Sequence, residues 1–106
     1  MPLPTRTLGR SGLEVTVLGF GGAPLGDIYE VLDDATAIAA VETAAQSGIT
    51  LFDAAPLYGQ GMAEHRFGTA LRRRPSGSFV LSSKVGRLLT PAPEGRTKTT
   101  RYVGGL

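Results

Sequence analysis

The sequence has no cysteine, and its 106 residues hold a single histidine. The first absence excludes a disulfide framework, a thiolate metal site and a cysteine nucleophile. The second excludes a His-rich metal centre. No apolar run approaches the roughly 20 residues of a membrane span. The start, Met1-Pro-Leu-Pro-Thr-Arg, lacks the apolar stretch of a secretory leader. The expectation is a soluble cytoplasmic protein with no membrane partner. Apolar residues make up 42% of the chain, enough for a core and against wholesale disorder. Length allows one domain.

Charge is low and unevenly placed. The chain carries 11 Lys+Arg against 9 Asp+Glu. Residues 1–86 hold seven basic and eight acidic side chains, whereas 87–106 hold Arg87, Arg96, Lys98 and Arg101 against Glu94. A short basic tail of this kind reads as a solvated loop, and no nucleic-acid partner is expected. Arg72-Arg73-Arg74 reads as a helix C-terminus, where positive charge is favourable.

The pattern along the chain alternates. Residues 5–18 read as a hairpin turning at Gly9-Arg10-Ser11-Gly12 and leading into a first strand that ends at Gly19-Phe20-Gly21-Gly22. A helix is predicted over 33–47. Asp33-Asp34 suit its N-terminus, Ala35, Ile38, Val41 and Ala45 form one face, and Gly48 is a left-handed stop. A strand follows over 49–53, then a helix over 63–73 with Ala63, Phe67, Ala70 and Leu71 inward. Within that helix Gly68 is expected to permit close packing on the sheet. A strand over 79–83 and a loop over 86–106 complete the chain. Strands alternating with helices imply right-handed crossovers and a parallel sheet with open edges.

Ligands of parallel sheets bind at the C-terminal ends of the strands. Side chains alternate along a strand. If Phe52, Phe79 and Leu81 face the helices, Asp53 and Lys84 point to the opposite side at neighbouring strand ends, level with each other. Tyr58, five residues after Asp53, can lean over the pair. A tyrosine ordinarily titrates near pH ~10, and a neighbouring ammonium stabilises its phenolate. Asp–Lys–Tyr is therefore a general acid assembly for reducing a carbonyl, or a general base for the reverse oxidation. From spacing alone a structural ion pair beside an interface tyrosine is the stronger reading, since such pairs also perturb titration. Gly19, Gly21, Gly22 and Gly26 resemble a nucleotide loop, but a dinucleotide fingerprint starting at Gly19 needs glycine where Pro24 stands. Here the glycines read as points of close approach for backbone or cofactor. His65, between Glu64 and Arg66, reads as a surface residue, and Met62 as a packing residue.

The segments Thr7-Leu-Gly-Arg-Ser-Gly-Leu-Glu-Val-Thr-Val-Leu-Gly-Phe-Gly-Gly, Phe52-Asp-Ala-Ala-Pro-Leu-Tyr-Gly-Gln-Gly-Met-Ala-Glu and Leu81-Ser-Ser-Lys-Val-Gly-Arg-Leu-Leu together resemble the aldo/keto reductase superfamily. Val85-Gly-Arg-Leu-Leu and Tyr102-Val-Gly-Gly-Leu look most like its sugar and pyridoxal dehydrogenase branch. The resemblance implies an α/β fold: the N-terminal portion of a (β/α)8 TIM barrel, preceded by a β-hairpin and truncated after the third barrel strand. It implies an NAD- or NADP-dependent oxidoreductase acting on a small carbonyl compound or a sugar. The family's catalytic Asp, Tyr and Lys fall on Asp53, Tyr58 and Lys84. Cofactor contacts are expected at Gly21, Gly22, Ala23 and Asp53, and no metal is expected.

Departures from the family pattern are Ala54 and Ser83, each in place of a usual threonine, and Ala63, where serine often caps the helix. Losing such a cap costs about 1 kcal/mol. The family's fourth catalytic residue, a histidine at the end of the fourth strand, has no counterpart, and His65 is not that residue. A whole barrel needs about 250 residues, so the 106-residue chain alone is expected to be inactive. The competing readings are an interaction protein that self-associates through open sheet edges and an unstable relic of a reductase.

Overall fold

The computed structural model describes residues 2–90. Most of the 86–106 loop and the Tyr102 segment lie outside the described residues; residues 86–90 carry neither helix nor strand. Strands β1 (Thr5–Thr7) and β2 (Glu14–Thr16) pair antiparallel, with Arg6 opposite Val15. The turn between them uses Gly9 and Gly12 at φ +52° and +76°. Ser11 donates its hydroxyl to the Leu8 carbonyl and accepts from the Leu13 amide.

The hairpin stands apart from the main sheet, which orders β3 (Gly19–Gly21), β4 (Leu51–Asp53) and β5 (Val80–Ser82) side by side, all parallel. The strand expected over 13–18 is shorter because the chain bends at Val17-Leu18 before entering β3. Thr16 holds that corner. Its hydroxyl donates to the Leu18 carbonyl and accepts from the Thr50 amide, while the Thr16 amide donates to the Thr50 hydroxyl. The hairpin is thereby fastened to the chain entering β4, at the end of the sheet away from Asp53.

Helix α1 (Asp34–Gln46) starts at Asp33, whose carboxylate accepts from the Thr36 amide at 2.7 Å. It stops in a Schellman arrangement: Ile49 N–H donates to Ala44 O, Gly48 N–H to Ala45 O, and Gly48 sits at φ +102°. Its buried stripe is Ala37, Val41 and Ala44, with Ile38 and Ala45 half-buried and Ala35 exposed. The stripe is rotated from the predicted Ala35-Ile38-Val41-Ala45 face because α1 packs against α2, which draws Ala37 and Ala44 inward beside Val41.

Helix α2 (Met62–Leu71) buries Ala63, Phe67, Ala70 and Leu71, and also Arg66. Its cap is Gly61 at φ +99°. Ala63 lies inside the first turn, fully buried, with its amide bonded to the Tyr58 carbonyl. The cap comparison drawn for Ala63 therefore does not apply. Gly68 is exposed, and a β-carbon there would meet nothing within 4 Å, so it does not serve close packing. The reason is rotational: the inward stripe runs through Ala63, Phe67 and Ala70, and Gly68 faces away from it. Met62, read as a packing residue, is 36% exposed at the helix start. His65 is exposed, and Arg72 to Arg74 follow the end of α2.

The core lies between sheet and helices. Phe20, Phe52 and Phe67 form a triangle with centroids 5.8–6.0 Å apart. Edge-on contacts of this kind add about 0.5–1.5 kcal/mol per pair beyond area burial. Phe52 and Phe67 are fully buried. Leu81, on the same sheet side as Phe52, is 45% exposed on the outer strand.

Candidate active site

Alternation places Phe52 in the core and Asp53 on the other side, at the C-terminal end of β4. The register sets Asp53 beside Gly21 on one flank and Ser82 on the other. Lys84 is thus not level with Asp53, as parity suggested. It lies two residues past Ser82 and reaches back along its stem. Its ammonium donates to Asp53 Oδ2 and to the Ala54 carbonyl, both at 2.8 Å. Ser82 donates its hydroxyl to Asp53 Oδ1 at 2.6 Å. Each oxygen of the carboxylate therefore has its own donor, and the plane of the group is fixed.

Tyr58 completes the cluster. The Lys84 Nζ lies 4.9 Å from the centroid of its ring, inside cation–π range. The tyrosine is held from its backbone. Its carbonyl accepts from the Ala63 amide of α2, and its amide donates to the Ala55 carbonyl. Gly26 of the 3-10 turn Ala23–Gly26 presses on it. A β-carbon on Gly26 would lie 2.4 Å from the Tyr58 carbonyl carbon and the Gly59 nitrogen. No side chain other than hydrogen is compatible with that approach.

Electrostatics follow from these contacts. Burial pushes the Asp53 carboxyl up, but hydrogen bonds from Lys84 and Ser82 outweigh it and hold the group below the usual carboxylate range. The bond to Asp53 raises the Lys84 amine above its ordinary value; burial opposes this and Tyr58 adds to the rise. Both groups are charged near neutrality. Their side chains are 46% and 45% exposed, so solvent screens the pair. Its contribution is orientation more than stability.

The glycines divide into two kinds. Gly21 is open: a β-carbon there would meet nothing within 4 Å, on the face it shares with Asp53. Gly22 is closed, since a β-carbon would strike Phe67 at 2.4 Å and the Asp53 carbonyl at 2.5 Å. Its amide donates to that carbonyl at 2.7 Å, so its task is to bring β3 and β4 together. Ala23 follows, half-buried, at the start of the 3-10 turn.

Two polar residues have a place here that the sequence did not assign them. Ser82 shares a strand face with Lys84, a signal available from alternation alone. Arg66 was masked by its place among helix charges, although it falls on the inward stripe between Ala63 and Ala70. Ala54 also gains a reading. Its methyl is buried, and its backbone serves the site by accepting from Lys84.

The Aldo/keto reductase family model matches residues 17–102. The chain belongs to the aldo/keto reductase family. It is 51% identical over 92 residues to pyridoxal 4-dehydrogenase of Microbacterium luteolum, covering 87% of this chain and 27% of that protein. It is 44% identical over 86 residues to D-threo-aldose 1-dehydrogenase of a Pseudomonas species, covering 81% and 26%. Among solved structures, the holo form of an aldo-keto reductase from Bacillus halodurans superimposes with a TM-score of 0.74 at 34% identity. That match covers 88% of this chain and 29% of the other. The chain thus spans between a quarter and a third of the length of these relatives. Its β3–α1–β4–α2–β5 run is the N-terminal part of the family barrel, with the hairpin ahead of it. Among the described residues no helix is long and apolar enough to cross a membrane, and no cluster of potential metal ligands occurs.

Proposed function

We propose that this chain carries the proton-transfer half of an NAD(P)-dependent oxidoreductase that interconverts an aldehyde, ketone or sugar lactol with its reduced or oxidised partner. The observation that carries the reading is the Lys84 ammonium, bonded to Asp53 at 2.8 Å and set 4.9 Å from the Tyr58 ring. In the reducing direction the Tyr58 hydroxyl gives its proton to the carbonyl oxygen. In the oxidising direction the phenolate takes the proton from the alcohol. Lys84 stabilises the phenolate while the proton is away. Asp53 keeps the lysine charged and aimed, and Ser82 keeps Asp53 from turning. The nicotinamide, when bound, supplies or accepts the hydride at the carbonyl carbon.

The residues present fit such a cofactor. Gly21 leaves open space beside the Asp53 carboxylate, an acceptor for a polar edge, whereas Gly22 is spent on packing and adds no open surface there. The names of the relatives, a pyridoxal and an aldose dehydrogenase, favour oxidation of a small polar substrate. The 106 residues alone are expected to turn over no substrate, since they match only about a quarter of the length of these dehydrogenases. The test is an assay of the protein from its native source with NAD and NADP against aldoses and an aromatic aldehyde. Nicotinamide-dependent turnover that is lost in Lys84→Met supports the reading. Failure of both cofactors with every substrate, or full activity in Lys84→Met, contradicts it.

A second reading rests on the sheet edges. β3 and β5 each pair on one side only among the described residues, and unpaired edges recruit other strands. A mass that rises with concentration would favour self-association, whereas a concentration-independent monomer would count against it.

A further inference from the structure

Arg66 is a charged residue in the place of a core residue. It is 4% exposed on the inward stripe of α2. Its guanidinium makes four bonds: Nη1 to the Leu25 carbonyl at 2.7 Å and to Asp27 at 3.0 Å, Nη2 to the Leu32 carbonyl at 2.8 Å, and Nε to Asp34 at 2.9 Å. All four acceptors lie between Leu25 and Asp34, the connection from β3 to α1. Asp27 itself adopts a left-handed φ of +55° and also accepts from the Leu32 amide. One guanidinium fork therefore fastens this connection to α2.

Stability alone is a poor reason for such a device. A charged side chain taken out of water, as Arg66 is, gains little over a well-packed apolar one. Placement is a better one. The bond to Leu25 sits one residue before Gly26, and Gly26 is the residue that presses on the Tyr58 backbone. The Tyr58 carbonyl is in turn bonded to Ala63, one turn before Arg66 on the same helix. Tyr58 is thus gripped between the start of α2 and the Leu25-Gly26 backbone, and Arg66 draws those two surfaces together.

We infer that Arg66 is a positioning residue for Tyr58, setting the tyrosine against Lys84 by clamping the Leu25–Asp34 connection to α2. The inference rests on the reading of Tyr58 as the proton donor, but its test does not use turnover. The chain has three tyrosines, Tyr29, Tyr58 and Tyr102. In the full chain with ring-labelled tyrosine, the Tyr58 signal is identified by its loss in Tyr58→Phe. The wild type should show a nuclear Overhauser contact between the Tyr58 ring and the Lys84 side chain. Arg66→Met should shift the Tyr58 signal and weaken that contact while the Phe52–Phe67 contact persists. Arg66→Lys, which keeps the charge and loses the fork, should restore part of the effect. If Arg66→Met does not fold, Asp34→Asn loosens one bond from an exposed partner and should move Tyr58 less, in the same direction. An unmoved Tyr58 signal in any folded variant overturns the inference, as does a wild type without the Tyr58–Lys84 contact. An inactive Tyr58 in the turnover assay would instead overturn the reading of the site and leave the positioning result standing.

Discussion

At the scale of residues, the site is a short chain of donors and acceptors in which each member fixes the next. Ser82 holds one oxygen of Asp53, Lys84 holds the other, and Lys84 faces Tyr58. Replacing Ser82 with alanine should free one carboxylate oxygen and let Asp53 rise towards the ordinary carboxylate value. A carboxyl carbon titration of wild type and Ser82→Ala measures this. The signs of the shifts also set how stability depends on pH. Asp27 and Asp53 are depressed on folding, so they stabilise the fold above about pH 4, the unfolded value. That contribution is lost as pH falls through their depressed folded values. Lys84 is raised, so its contribution is whole below about pH 10.4 and is lost as pH rises through its raised value. Urea midpoints should hold near neutrality and fall at both extremes, with the alkaline loss reduced in Lys84→Met.

At the scale of elements, the glycines provide opposed predictions. Gly68 lies exposed inside α2, with no atom near its missing β-carbon. Gly68→Ala should stabilise the fold by about 0.5–1 kcal/mol, the helix-propensity difference. Gly22→Ala should destabilise it by about 1–3 kcal/mol or more, since the new carbon collides with Phe67 and the Asp53 carbonyl. Chemical denaturation of the two variants decides both. The contrast also marks what could be read beforehand. Punctuation marked both ends of α1, because Asp33 and Gly48 are strong end signals. Alternation put Asp53 opposite Phe52. Register was not legible: which residue stands beside Asp53 depends on pairing between strands 29 residues apart, and it proved to be Ser82 rather than Lys84. Arg66 was hidden for the same reason, as its partners lie 32 to 41 residues earlier. Gly68 was misjudged because a helix glycine has two explanations, packing and accident, that only rotation about the axis separates.

At the scale of the whole molecule, three parallel strands and two helices form one side of a barrel with both outer strands unpaired on one edge among the described residues. Parallel sheets are otherwise covered on both faces. Here the face carrying Asp53 and Lys84 leaves them almost half exposed. Water competes for every charge in the site at this exposure, which weakens the electrostatic support a phenolate receives. Closing the barrel should therefore change function more than it changes the local geometry. The isolated 106-residue chain should show no nicotinamide-dependent turnover, even with Asp53, Tyr58 and Lys84 in place.

The most direct test of the central claim is the rate of hydride exchange with nicotinamide in the protein from its native source, compared with its Tyr58→Phe variant at equal thermal stability. If Tyr58 moves the substrate proton, turnover should fall by about 10²–10⁴-fold, the usual worth of a positioned general acid or base. Retention of wild-type turnover by Tyr58→Phe would contradict the assignment and leave the Asp53–Lys84 pair as a structural ion pair.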